Sequence, residues 1–184
     1  MRLSTQILAT IAIALAAAAA PSNASGQAAV PLLNYTATVP AGWITAATTS
    51  PMRLAQYTIP GRDGAVGAEV VVYFFGSGQG GDVAANLARW KSQFSSPGGT
   101  PVYENVVHEK NTPFPITIAE YRGTYARGIG GGNAAAAKPG QSLIAAIAET
   151  PEGTLFFQLF GATANVTAQR ATLIHFVRSM TVKH

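Results

Sequence analysis

Residues 69–75 of this chain read Glu69-Val70-Val71-Val72-Tyr73-Phe74-Phe75, and a glycine-rich stretch at 76–81 follows them. β-branched and aromatic residues favour strands, and apolar side chains at both odd and even positions are typical of a strand covered on both faces. Four glycines among six residues favour a tight turn. The segment therefore predicts an interior strand of a sheet that leads through a sharp turn into the next element.

After the turn, the apolar residues take the spacing of a helix. Asp82 can accept hydrogen bonds from the free amides of a first helical turn. The apolar residues that follow form one stripe, which consists of Val83, Leu87, Trp90 and Phe94. The polar residues between them should face water; these are Asn86, Arg89 and Lys91. A second helix is predicted at 165–180, with a buried stripe of Leu173, Phe176, Val177 and Met180.

Further segments carry the composition and the alternation of strands, at 35–39, 52–59, 102–108, 116–125, 143–148 and 155–160. Most connections between them are too short for the crossovers that a parallel sheet requires. We therefore predict an α+β protein with one antiparallel sheet of six or seven strands sandwiched between helices.

The first residues have the order of a secretory signal peptide: Arg2, an apolar run at 7–20, and a small, polar stretch at 21–27. The alternative is a membrane anchor, but the apolar run would rise only about 21 Å as a helix, short of the roughly 30 Å hydrocarbon layer. We predict that 1–24 is a signal peptide cleaved after Ala24, that 25–33 is a disordered or extended leader, and that 34–184 is a single domain. The mature chain, without a membrane span, is expected to be periplasmic or secreted.

The charge distribution argues against nucleic-acid binding. The net charge is +4 and 11% of the residues are charged, compared with about 25% in average proteins. The basic residues are scattered singly, whereas a protein that follows phosphates needs several cations on one face. The chain contains no cysteine, so neither a disulfide framework nor a cysteine-based metal site can form.

The glycine-rich stretch also fits a nucleotide-binding pattern. Gly76, Gly78 and Gly81 satisfy G-x-G-x-x-G, in which backbone amides approach a phosphate at the start of a helix. Asp82 places a carboxylate where that anion would lie, so a tight strand-to-helix turn is the simpler interpretation. Ser77 lacks the flanking glycines of a nucleophile elbow. An exported hydrolase or phosphate-ligand-binding enzyme that uses this loop is the alternative function.

No metal site and no cofactor is predicted. His108-Glu109 begins like the zinc motif H-E-x-x-H, but Thr112 takes the place of the second histidine and the local pattern is that of a strand. The acidic residues show no spacing that forces two carboxylates together. We therefore expect that the chain is not an enzyme.

Ligand binding is expected in the loops, because long connections carry binding more often than packing. A stretch rich in glycine and alanine lies at 128–140, with Arg127 and Lys138 at its ends. These two residues, together with Gly78 and Gln79 in the glycine-rich turn, are the candidate ligand-binding residues. A disordered hairpin tip is the alternative interpretation of the long stretch.

Several segments resemble those of a family of uncharacterised exported bacterial proteins: Pro40-Ala41-Gly42-Trp43, Met52-Arg53-Leu54-Ala55, the helix with Arg89-Trp90, and Phe156-Phe157-Gln158-Leu159. More distantly, the order of elements is similar to the PsbP-like fold, an antiparallel sheet between helices. Members of that fold include photosystem accessory proteins and a nuclear import factor that binds a GTPase. The resemblance implies a noncatalytic accessory or binding module for an unknown protein or small molecule. A structural envelope protein is a further alternative.

Overall fold

Two antiparallel sheets and two helices make up the computed structural model, which describes residues 28–61, 66–110, 112–126 and 137–183. In chain order the strands are β1 (Ala29–Leu32), β2 (Tyr35–Thr38), β3 (Ile44–Thr45), β4 (Arg53–Pro60), β5 (Val66–Phe74), β6 (Phe94–Ser95), β7 (Tyr103–Glu109), β8 (Ile116–Tyr125), β9 (Lys138–Thr150), β10 (Gly153–Ala162) and β11 (Thr181–Val182). The helices are α1 (Val83–Lys91) and α2 (Thr163–Arg178). The predicted signal peptide, 1–24, lies outside the described residues.

The main sheet has eight strands in the order β3-β4-β5-β10-β9-β8-β6, and β7 also pairs with β8. All of these pairings are antiparallel. The predicted antiparallel sheet is therefore confirmed, but the predicted number of six or seven strands is wrong. The additional strands β3 and β6 are two residues long, and such short pieces have no alternation that a sequence pattern could reveal.

A separate three-stranded sheet has the order β1-β2-β11. The segment 35–39, expected in the main sheet, supplies β2 of this small sheet instead. β1 lies within 25–33, the segment expected to be a leader, yet Leu32 is completely buried. The packed structure therefore includes residues ahead of Asn34.

The two helices pack against opposite faces of β10. Successive side chains of a strand point to opposite faces. Phe156 packs edge-on against Trp90 of α1, with ring centroids 6.4 Å apart, and Phe157 packs against Phe176 of α2 at 5.8 Å. β5 lies between β4 and β10, and its side chains divide between the two hydrophobic clusters on these faces.

The predicted helices are present, with small differences in their bounds. In the expected buried stripe, Leu173, Phe176 and Val177 are buried in α2, and Met180 is buried just after the helix ends at Arg178. α1 ends at Lys91, so Phe94 is buried in β6 rather than in the helix. In the part of the chain that the structure describes, neither helix has the length and apolar character needed to cross a membrane.

Asn86 of α1 has 2% of its surface exposed, so the prediction that it faces water is wrong. Its side-chain amide donates hydrogen bonds to the carbonyl oxygens of Gly80 (2.8 Å), Gly81 (3.3 Å) and Asp82 (2.9 Å). The Asp82 carboxylate accepts a hydrogen bond from the Ala85 amide at 2.7 Å and caps the helix, as predicted. Asn86 thus fixes the glycine-rich turn to the helix that follows it.

Replacing Asn86 by alanine should lower the free energy of unfolding by about 1–2 kcal/mol, because three carbonyl oxygens at a packed turn lose their donor. Urea denaturation followed by circular dichroism measures this change. Lys91→Ala on the same helix removes an exposed ion pair with Glu104 and is the control, with an expected loss below about 0.5 kcal/mol. Equal losses for the two variants would contradict the anchoring role of Asn86.

Burial of Tyr57 in β4 makes the free energy of unfolding depend on pH in the alkaline range. The side chain is 1% exposed, and burial raises the pKa of its hydroxyl to about 12. The hydroxyl of a tyrosine in the unfolded chain ionises at about pH 10. Because the folded-state pKa lies above the unfolded one, this stabilisation is complete below about pH 10 and is lost as the pH rises through the folded-state value.

Between about pH 9 and 12, Tyr57→Phe should therefore lose about 2 kcal/mol less of its unfolding free energy than the wild type does. Denaturant unfolding at a series of pH values gives both curves. Parallel decreases in the two proteins would show that the Tyr57 hydroxyl is not held protonated in the folded state.

Candidate functional site

An open pocket of about 260 Å³ lies on the α1 face of the main sheet. We name it the tyrosine pocket; its lining residues are Arg53, Glu69, Val71, Tyr73, Tyr125, Gln158 and Phe160. Val71 and Tyr73 belong to the hydrophobic cluster that contains Trp90 of α1, which places the pocket on that face. The pocket therefore occupies a part of the sheet that the short helix leaves uncovered.

The pairing of β5 with β10 forms the floor of the pocket. Val71 lies opposite Gln158, and Glu69 lies opposite Phe160. Residues directly opposite each other in an antiparallel pair share a face of the sheet. These four side chains are therefore adjacent on the α1 face, and their arrangement follows from the register of one strand pair.

An irregularity in β4 brings Arg53 to the same face. Arg53 lies opposite Tyr73, whereas Ala55, two residues later, lies opposite Val72 of the other face. In a regular strand, residues two apart would share a face. The register shift between Arg53 and Ala55 is a bulge that turns the guanidinium toward the pocket.

Three buried polar atoms of the pocket have no hydrogen-bond partner among the described residues: the hydroxyl oxygens of Tyr73 and Tyr125 and Oε1 of Gln158. The exposed fractions of these residues are 8%, 7% and 4%. Burying a polar group without a partner costs roughly 1–3 kcal/mol, and most buried polar groups in proteins are paired. Three such groups in residues that line one pocket make it the candidate functional site.

Both tyrosine hydroxyls stay protonated at neutral pH. Burial raises the pKa of Tyr73 and the charge of Glu69 adds to the increase, although the positive charges of Arg53 and Arg89 oppose it. Burial also raises the pKa of Tyr125, and the neighbouring Tyr73 adds to that increase. Both residues line the pocket, and each protonated hydroxyl can donate a hydrogen bond.

A polar network forms the rim of the pocket on β4 and β5. Arg53 Nη1 donates to Gln56 Oε1 at 2.9 Å, and Gln56 Nε2 donates to Glu69 Oε1 at 2.6 Å. Arg53 Nη1 also lies 3.7 Å from Glu69 Oε1, and the guanidinium carbon lies 5.5 Å from the centre of the Tyr73 ring. The network holds Arg53 beside the tyrosine and balances part of the charge of Glu69.

A second depression, of about 350 Å³, adjoins the tyrosine pocket, because Glu69 and Phe160 line both. Lys138 lines this depression, and it lies opposite Tyr125 in the pairing of β8 with β9. The structure thus places the candidate Lys138 beside the tyrosine pocket, and its role in binding stays a prediction. The candidate Arg127 lies outside the described residues.

The candidates Gly78 and Gln79 are exposed on the turn between β5 and α1, away from the residues that line the tyrosine pocket. A Cβ atom at Gly80 would come within 2.8 Å of the Phe156 ring, so this turn packs closely against the sheet. The Asp82 carboxylate already bonds to an amide of the first helical turn, which a phosphate would otherwise use. A ligand role for Gly78 and Gln79 stays a prediction.

The pair His108-Glu109 takes part in contacts within the fold. His108 Nδ1 lies 3.0 Å from the Thr117 hydroxyl oxygen, and Glu109 forms an ion pair with Arg178 of α2. Among the described residues, no group of three or more histidine, aspartate and glutamate side chains is placed to hold a metal ion. The arrangement offers hydrogen bonding and aromatic surface in the tyrosine pocket instead.

Sequence patterns do not single out the tyrosine pocket. Tyr73 and Phe160 belong to apolar runs, which predict core. Gln158 carries the one available signal, because it is the polar residue in 155–160, a strand that is apolar on both faces. The glutamine marks a site only once the pairing of β10 with β5 is known, and no local sequence pattern shows that pairing.

The sheet topology and the two helices define a protein with the PsbP-like fold, as the order of elements predicted. The solution structure of CyanoP, the cyanobacterial PsbP of Synechocystis sp. PCC 6803, matches with a TM-score of 0.56 at 13% identity, over 91% of this chain and 99% of that one. The Ran-binding protein Mog1p of Saccharomyces cerevisiae matches with a TM-score of 0.51 at 12% identity, over 84% of this chain and 94% of that one. A mutant of Mog1 gives the same TM-score at 13% identity, over 84% and 95% of the two chains.

Likeness at this level of identity shows the fold alone. No protein-family model matches the chain, and no curated protein matches its sequence. The resemblance to a family of uncharacterised exported bacterial proteins therefore stays a prediction.

Tyr73→Phe and Tyr125→Phe should leave the stability of the ligand-free protein unchanged or raise it by up to about 1–2 kcal/mol, because each removes a buried hydroxyl that lacks a partner in the described chain. Tyr121→Phe is the matched control on the same face. Its hydroxyl donates to the Leu87 carbonyl oxygen at 3.1 Å, so its removal should cost about 1 kcal/mol. Urea denaturation compares the three variants, and equal losses in all of them would mean that the pocket hydroxyls are satisfied within the folded chain.

Proposed function

We propose that this protein is an exported, noncatalytic accessory or binding module and that the tyrosine pocket is its ligand contact. The proposal is carried by the three buried polar atoms of Tyr73, Tyr125 and Gln158, which lack partners among the described residues and belong to one open pocket. A sheet face that served packing alone would be more stable with phenylalanine and leucine at these positions. Polar groups that weaken the fold are expected where function requires them.

The chemistry of the pocket suits holding a molecule rather than transforming it. The two tyrosine hydroxyls donate hydrogen bonds, the Gln158 amide oxygen accepts them, and Phe160 offers apolar surface. Glu69 is the carboxylate of the lining. It accepts a hydrogen bond from Gln56 and lies near Arg53, so it is already engaged in the rim network.

The structural neighbours support the same class by analogy. One of them is a PsbP protein and another is described as a Ran-binding protein. A shared fold does not transfer a binding partner, so the proposed contact rests on the residues of this chain. Export to the periplasm or the medium is proposed from the signal-like pattern at 1–24.

A thermal-shift screen of the mature domain against small polar metabolites tests the proposal. A compound present at 100 times its Kd should stabilise the protein by about 2.7 kcal/mol. Gln158→Leu and Tyr125→Phe should each weaken that compound about tenfold, since each removes one hydrogen-bonding group from the pocket.

Tyr121→Phe serves as the control, because its hydroxyl bonds to α1 and the residue is not part of the pocket lining. It should leave the affinity unchanged. A compound whose affinity survives both pocket variants binds elsewhere, and a screen without any stabilising compound would contradict the small-molecule pocket itself.

A further inference from the structure

The charge and hydrogen-bonding pattern of the tyrosine pocket carries a more specific conclusion about its ligand. We infer that the ligand is a small carboxylic acid that bears an N–H or O–H donor and an apolar group next to its carboxylate. This inference rests on the proposed function, because it assumes that the pocket binds a small molecule. It extends that proposal by assigning a ligand part to each element of the lining.

The volume limits the size of the ligand. A water molecule takes about 30 Å³ in the liquid, and the pocket offers about 260 Å³. That space equals roughly nine water volumes, and because covalently bonded atoms take less room than separate water molecules, it suits a ligand of roughly ten non-hydrogen atoms. Drug-sized ligands usually occupy pockets of about 300–1,000 Å³, so the ligand belongs to the size class of single amino-acid derivatives and short hydroxy acids.

Among the charged groups near Tyr73, Arg53 has the strongest effect on its hydroxyl. The charges of Arg53 and Arg89 both act on Tyr73, and Lys138 lies in the adjoining depression. Glu69 opposes them, but Gln56 and Arg53 already engage its carboxylate. A ligand with a negative charge therefore gains from Arg53, which lines the pocket.

A carboxylate also fits the donors in number and kind. The two phenol hydroxyls can donate to its oxygens, and hydrogen bonds to an ionised acceptor are stronger than those between neutral groups. The guanidinium of Arg53 has five N–H donors, and one of its nitrogens is bonded to Gln56. The remaining donors make Arg53 the residue that senses the charge of the ligand.

Gln158 explains why a simple carboxylate is not sufficient. Its Oε1 atom is an acceptor without a partner among the described residues, and a carboxylate oxygen cannot donate to it. An N–H or O–H group beside the carboxylate would satisfy it. The aromatic wall, in which the rings of Tyr125 and Phe160 are 4.5 Å apart, then receives the apolar part of the ligand.

Isothermal titration with three related probes tests this inference. N-acetyl-L-leucine has the carboxylate, the N–H donor and the apolar group. N-acetyl-L-leucinamide lacks the charge, and 4-methylpentanoate lacks the donor. We expect the first probe to bind about tenfold more tightly than either of the others, because each comparison removes one polar interaction of the pocket.

Two variants and a control assign these preferences to residues. Arg53→Gln should remove the preference for the acid over the amide, and Gln158→Leu should remove the preference for N-acetyl-L-leucine over 4-methylpentanoate. Arg178→Gln changes an exposed arginine of α2 that pairs with Glu109 of β7. It should leave both preferences unchanged. Thermal unfolding of each variant verifies that it is folded.

The possible failures are distinct from each other. If the amide binds as tightly as the acid and Tyr125→Phe weakens both, the inferred charge is wrong while the proposed binding function stands. If none of the three probes binds but a neutral compound from the screen does, the acid class is overturned as well. If neither probes nor screen yield a binder, the proposed function itself fails.

Discussion

The pairing of β5 with β10 is the interaction on which the rest of the structure depends. Both strands are apolar on both faces, so their register decides which side chains go to each cluster. Val71 lies opposite Gln158. As a result, alternate residues of both strands pack toward α2, and the residues between them face α1 and form the floor of the tyrosine pocket. A slip by one residue would exchange the faces of an entire strand. It would move either Gln158 of β10 or Tyr73 of β5 into the core under α2, where its polar atom would have no access to a ligand.

The unequal lengths of the helices create the pocket from that sheet. α2 has 16 residues and contacts β9 and β10, whereas α1 has nine and contacts β8. A nine-residue helix is about 13 Å long and cannot cover a face of this width. Asn86 adds to this incomplete coverage, because it fixes α1 to the glycine-rich turn at one end of the face. The helix is thereby held over Phe156 and Tyr121, and the area around Gln158 remains open.

The sequence predicts the parts of the fold that repeat over several residues. The interior strand at 69–75, the antiparallel pairing and the buried stripe of α2 all follow from periodicity and loop length. β1, β3, β6 and β11 are two to four residues long, too short for a period, and they depend on partners supplied by distant segments. Asn86 was expected to be exposed to water, because it lies outside the apolar stripe of the helix. It is buried instead, because its side chain bonds to three carbonyl oxygens of the preceding turn. Gln158 could be noticed in its strand, but its pocket depends on pairing across the sheet.

The PsbP-like neighbours share the backbone and little of the sequence, with identities of 12–13%. A sheet with this topology is therefore compatible with very different side chains. In this chain the pocket combines a few local features: the bulge that turns Arg53 toward Tyr73, the glutamine within an apolar strand, and a tyrosine at the end of β8. Three of its polar side chains extend from the pair of β5 and β10, and Arg53 and Tyr125 reach it from β4 and β8. Small changes in sequence can therefore alter the site while the hydrophobic clusters stay intact. In the proposed function the ligand contact lies on the face that the short helix leaves open, and the core beneath it supplies the rigidity that keeps unsatisfied polar groups in place.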